Sequence, residues 1–121
     1  MSLPNLQYIQ TVDVHLDMVE LYQQFIVKLI SAQKAMKLEK SWIVYENPFP
    51  TNEKTQQFTF IRPLNNWSEM DEISNEDSLS TILKEIYGEQ EAIQWLTVAQ
   101  RAIKQTVTSV LTKIPHLSYN S

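Results

Sequence analysis

The elements legible in this sequence fall in the order β-α-β-β-α(αα)-β. That order predicts an α+β domain on the ferredoxin-like, split-βαβ plan, an antiparallel sheet with helices on one face. Three observations carry it. Residues 6–16 alternate apolar and polar with a period of two. Residues 17–37 carry an apolar stripe near the 3.6-residue period of a helix. Residues 66–104 hold helical patterns interrupted by a polar break at 74–78 and by Gly88. At 121 residues the chain fits a single domain, 1–121.

In the first strand Leu6, Tyr8, Val12, Val14 and Leu16 share one face, with Gln10 the polar exception. Gln7, Thr11, Asp13 and His15 share the other, with Ile9 the apolar exception. The helix after it is expected to be capped by Asp17, with Glu20 at capping-box spacing. Its stripe is Met18, Tyr22, Phe25, Leu29 and Met36, widened by Leu21 and Ile26. Residues 41–46 are apolar on both faces, Trp42 and Val44 against Ile43 and Tyr45, as in a strand covered on both sides. Pro48 and Pro50 make the next stretch a loop. Residues 55–62 form the third strand, with Phe58 and Phe60 on one face, Thr59 and Ile61 on the other, and Pro63 expected to end it.

Asn66 is placed to cap a short helix carrying Trp67, Met70 and Ile73, with Glu69 completing a capping box. Leu79, Ile82, Leu83, Ile86 and Tyr87 mark a second helix, with Gly88 expected as its left-handed terminator. Ile93, Leu96, Ala99 and Ile103 mark a third, from about Glu89 to Lys104. Residues 106–114 fit a continuation of that helix, but six of the nine are β-branched, which favours a strand.

Composition removes several function classes. There is no cysteine, so disulfides, thiolate metal sites and cysteine nucleophiles are excluded. One glycine cannot build a phosphate-cradling loop. A net charge of −4 lacks the basic footprint of a nucleic-acid binder. No stretch approaches a membrane span, and residues 1–10 have neither the basic nor the apolar part of a secretory signal, so the expected compartment is the cytoplasm. No metal or cofactor is expected. Asp13 and His15 share a strand face but have no third ligand, and Glu69, Asp71, Glu72, Glu76 and Asp77 read as a solvated acidic run. The serines have no nucleophile elbow. His116, in the tail, reads as exposed, or as a contact to a second copy.

Ile9, Ile43, Tyr45 and Ile61 would lie on the sheet face without helices. A homodimer pairing these faces is therefore expected, with a two-fold axis making one surface self-complementary.

The length, the element order and the segment Phe60-Ile-Arg-Pro-Leu-Asn-Asn-Trp-Ser-Glu-Met-Asp71 resemble the dimeric α/β-barrel superfamily. The junction of strand, short polar turn, Trp and helix is similar to that of antibiotic-biosynthesis-monooxygenase-type and haem-degrading members. It is also similar to that of proteins with a 4-nitrophenylphosphatase-like domain and non-neuronal SNAP homology. Pro115-His-Leu-Ser-Tyr119 looks like the tail of uncharacterised members. Haem-degrading members are similar at Asn65-Asn66-Trp67, but their histidine ligand would fall at Asp77 and their first-strand asparagine has only Gln10 as an analogue.

The expected function is binding of a small apolar or aromatic ligand between sheet and helices. The candidate site residues are Trp67, Asn65, Asn66, Arg62, Tyr22 and Phe60. Two alternatives stand beside it. The resemblance implies a cofactor-independent monooxygenase of quinol-like or polyketide-like substrates, with Asn65, Asn66 and Trp67 at substrate. A core filled by every aromatic side chain implies a non-catalytic interaction dimer.

Overall fold

A computed structural model describes residues 6–37, 42–47, 54–69, 79–112 and 114–117. The alternating segment forms β1 (Leu6–His15), the non-alternating one β2 (Ile43–Asn47), and the two phenylalanines lie on β3 (Thr55–Leu64). The ambiguous C-terminal segment is β4 (Ile103–Thr112), so β-branching prevails over helical continuation. The sheet order is β2-β3-β1-β4, with every neighbouring pair antiparallel. The helices are α1 (Val19–Ala35), α2 (Leu79–Tyr87) and α3 (Glu89–Ala102). The expected helix on Met70 and Ile73, most of the acidic run and the 48–53 loop lie outside the described residues.

The even-numbered face of β1 is the core face. Val12 and Val14 pack with Phe58 of β3 and with Tyr22, Phe25, Leu29 and Ala32 of α1, all buried. Fully burying a side chain of this size contributes about 1.5–3 kcal/mol, so this row sets where α1 sits. From the other side Ile82 and Leu83 of α2 and Ala92, Ala99 and Ala102 of α3 close the cluster. Leu21 and Ile93, expected in the apolar stripes, are instead exposed on the outer surface. Both helices bury a narrower stripe than the sequence offers, and alanines carry the α3 contact.

Three local readings are corrected. Asp17 does not cap α1. Residues 16–18 make a 3₁₀ turn whose Leu16 N–H donates to the Lys54 carbonyl at 3.1 Å, and Met18 takes the cap position with no side-chain hydrogen bond. The chain reverses from β1 into α1 in three residues, which leaves no extended residue for an Asx cap. Pro63 does not end β3, which runs on to Leu64 with Pro63 opposite Gln7. Among the described residues β2 pairs no further along β3 than Ile61, so Pro63 has no described partner on that side, where a residue without an N–H is accommodated. Gly88 has φ 87° but ψ 165°, an extended positive-φ conformation rather than αL. Its N–H still closes α2 on the Lys84 carbonyl, and its own carbonyl accepts from Ala92 to open α3, each at 3.0 Å.

Lys28 of α1 ties the three helices together. Its ammonium lies 5.1 Å from the Tyr87 ring centre, 5.9 Å from that of Trp95 and 3.6 Å from Glu91 Oε1. Its carbonyl accepts the Tyr87 hydroxyl at 2.9 Å.

A Cβ on Gly88 would meet no atom within 4 Å, so Gly88→Ala isolates the backbone term. Urea unfolding is expected to show a loss of about 1–3 kcal/mol. Lys37, the non-glycine residue at φ 57° beyond α1, is the reverse case, and Lys37→Gly is expected to leave stability unchanged or raise it by up to about 1 kcal/mol.

Candidate functional site

The core face of β1 is apolar except at Gln10, and that of β3 is polar at Gln56, opposite Val14, and at Arg62, opposite Tyr8; Gln10 and Arg62 are the polar positions on the Tyr8 side of Val12. These two polar positions border a cavity of about 710 Å³ between the sheet and the helices. The register gives its floor. Tyr8 pairs with Arg62 and Gln10 with Phe60, and Val12 extends the floor along β1. α1 supplies one wall through Tyr22, Phe25, Ile26, Leu29 and Gln33, and α3 the other through Leu96, Ala99 and Gln100.

One end of this cavity is deep. Val12, Tyr22 and Phe25 are buried there, and the Tyr22 ring packs 5.6 Å from Phe58 and 6.0 Å from Phe25. The other end reaches the surface at half-buried Tyr8, Arg62 and Trp42. Trp42 is fixed at this mouth by two contacts. Its indole N–H donates to Gln33 Oε1 at 3.1 Å, and its ring stands 5.6 Å from Phe60.

Of the six residues expected at a site, Tyr22, Phe60 and Arg62 line the cavity. Asn65, Asn66 and Trp67 lie on the turn leaving β3 and are not among its described lining residues. That turn is a reciprocal cap. Asn66 Oδ1 accepts from the Glu69 N–H at 3.2 Å and from the Ser68 hydroxyl, while the Glu69 carboxylate takes the Asn65 N–H at 3.0 Å and its side-chain amide at 2.9 Å. The cap holds Trp67 outward, 62 % exposed, instead of under a helix. Gln10 and Trp42 are two of the wall residues not singled out from the sequence as site residues. Gln10 had a signal, as the one polar residue in an apolar face; Trp42 had none beyond its being aromatic.

The open face of the sheet carries a different chemistry. Ile43, Ile61 and Ile9 form a cross-strand row, and Ile43, Tyr45, Val107 and Leu111 are each just over half exposed. At one end, Asn47 donates to Gln57 at 3.0 Å and Gln57 to Asp13 at 3.2 Å, a chain of amides across three strands. Among the described residues no three His, Asp or Glu side chains gather as a metal site, and no helix is long and apolar enough to cross a membrane. A second hollow, about 800 Å³, lies on the outer helical surface around Leu21, Gly88 and Trp95, with no sheet residue in its lining.

No family model matches the sequence, and no curated protein matches it. Solved structures do. One is an uncharacterized NIPSNAP-like domain protein from Burkholderia xenovorans (TM-score 0.55, 11% identity, 90% of this chain and 84% of that one). Another is a dimeric protein of unknown function and ferredoxin-like fold from Bacteroides fragilis (TM-score 0.50, 10% identity, 93% and 100%). The chain has the ferredoxin-like fold. A dimeric ferredoxin-like protein from an uncultured marine organism is similar to the same extent (TM-score 0.50, 16% identity, 92% and 96%). The likeness to dimeric α/β-barrel proteins expected from the sequence is thus found in the ferredoxin-like fold itself.

Burial pushes the Tyr22 hydroxyl from 10.0 up to about 12, by desolvation of the phenolate. The group is protonated in both states at neutral pH. Its contribution is fully present below pH 10.0 and is lost as pH rises toward about 12, because the unfolded chain gives up its proton first. Phenolate absorbance is expected to show a late-titrating tyrosine, and Tyr22→Phe to remove that phase. Stability should fall across the same window by up to about 3 kcal/mol.

Proposed function

We propose that the chain works as a homodimer, paired through the open sheet face, that holds a small apolar or aromatic ligand in the cavity between sheet and helices. The observation that carries the ligand is the cavity itself. About 710 Å³ lies within the range of small-molecule sites, and its wall is mostly apolar with a few convergent polar groups. Phe60 and Trp42 offer a ring-stacking surface, Tyr22 a hydroxyl at depth, and Arg62 a guanidinium at the mouth. A filled core, as an interaction dimer requires, is not favoured by a cavity of this size. Oxygenation assisted by Asn65, Asn66 and Trp67 is not favoured either, because both asparagines are engaged in the cap of their own turn.

The pairing rests on Ile9, Ile43, Tyr45, Ile61, Val107 and Leu111, apolar residues from all four strands on the sheet face that no described helix covers. It is supported by ferredoxin-like neighbours that are themselves described as dimeric.

Two measurements test this reading. Sedimentation at micromolar concentration is expected to give twice the 14.2 kDa chain mass, and Tyr45→Asp or Val107→Asp to shift it toward one. A monomeric wild type removes the pairing. Quinol or flavonoid ligands are expected to quench tryptophan emission in the wild type and in Trp67→Phe, and much less in Trp42→Phe. Equal quenching in all three proteins, or none in any, removes the ligand from the cavity.

A further inference from the structure

Tyr22 is 3 % exposed and lines the cavity, yet its hydroxyl makes no hydrogen bond with any described residue. A tyrosine buried this far normally finds a partner for its O–H. Among the described residues no buried polar side-chain atom is fully enclosed without a partner, so this oxygen keeps some accessible surface, and Tyr22 lines the cavity. Gln10, on the floor between Phe60 and Thr108, is half-buried and likewise has no side-chain hydrogen bond.

We propose that the Tyr22 hydroxyl anchors the ligand, donating a hydrogen bond to a neutral acceptor oxygen, such as a ketone carbonyl, on the leading edge of a planar apolar molecule. This rests on the cavity reading above and names the chemistry of its occupant. Geometry decides for a neutral oxygen over a carboxylate. The one cation in the described wall, Arg62, is four residues along β3 from Phe58, the residue Tyr22 stacks on. At the rise of a strand that is roughly 13 Å. An anion at the deep end would be desolvated without a counter-charge, whereas a carbonyl asks for one donor. Tyr22 supplies it as an O–H that stays protonated well past neutral pH. The rings of Phe25 and Phe60 fit the flat body behind that carbonyl, and the Gln10 amide is placed to select among substituents on its edge.

The test compares 9-fluorenone with fluorene, which share a tricyclic skeleton and differ by one carbonyl. Equilibrium binding to the full chain is expected to favour fluorenone on the order of tenfold, the size of one hydrogen bond. Tyr22→Phe, which keeps the ring, should bring fluorenone to within about twofold of fluorene and leave fluorene unchanged. Infrared spectra supply a reading that needs no variant: the carbonyl stretch of fluorenone bound to the wild type is expected at lower frequency than in a hydrocarbon solvent. Fluorene binding as tightly as fluorenone, or a carbonyl stretch unshifted on the wild type, overturns the anchor while leaving the cavity reading intact. Failure of both compounds to bind overturns the cavity reading and the anchor with it.

Discussion

The sheet carries an apolar row on both faces, but the described helices cover only one, and the rest of the structure depends on that inequality. Val12, Val14 and Phe58 on one side recruit α1, α2 and α3. On the other side Ile43 and Tyr45 are more than half exposed, beside half-buried Ile9 and Ile61, and no described helix covers them. A sheet of this size could be balanced by polar residues on its outer positions. Here the outer row is isoleucine from three adjacent strands, and the imbalance is built into the sequence.

The covered face is not filled evenly. Ala92, Ala99 and Ala102 are the buried residues that α3 gives to the core, and Ala99 also lines the cavity across from Gln10's strand. Trp42, held by Gln33, fixes the cavity's mouth.

Much of this was legible in the residues. Period-two alternation placed β1, β-branching placed β4, and the apolar doublets of β2 exposed the two-faced sheet. Three of six expected site residues line the cavity because strand parity alone places Phe60 and Arg62 on the core face, and helical spacing places Tyr22. Asn65, Asn66 and Trp67 were less readable. The sequence shows that Asn66 and Glu69 can form a cap, and they do, but the direction in which a cap throws the next side chain depends on how the chain leaves β3. Pro63 and Asp17 misled for a related reason. Each obeys a local rule that tertiary surroundings set aside, an edge position for Pro63 and a three-residue reversal for Asp17. Gln10, the polar exception in the apolar face of β1, is a cavity-lining residue.

The junction of α3 with β4 has no loop at all: Ala102 ends the helix and Ile103 begins the strand. The one irregularity near it is a bulge, where Asp13 faces Gln105 and Val14 faces Ile103, so that Lys104 is the extra residue. Strand faces have parity, and inserting or deleting one residue here would exchange the inward and outward rows of β4 unless Lys104 absorbed it. This joint therefore has little tolerance for drift in length. Where descendants of this chain gain or lose residues, the change must fall at other joints, and the Ala102–Ile103 seam serves as the fixed point against which their alignments can be set.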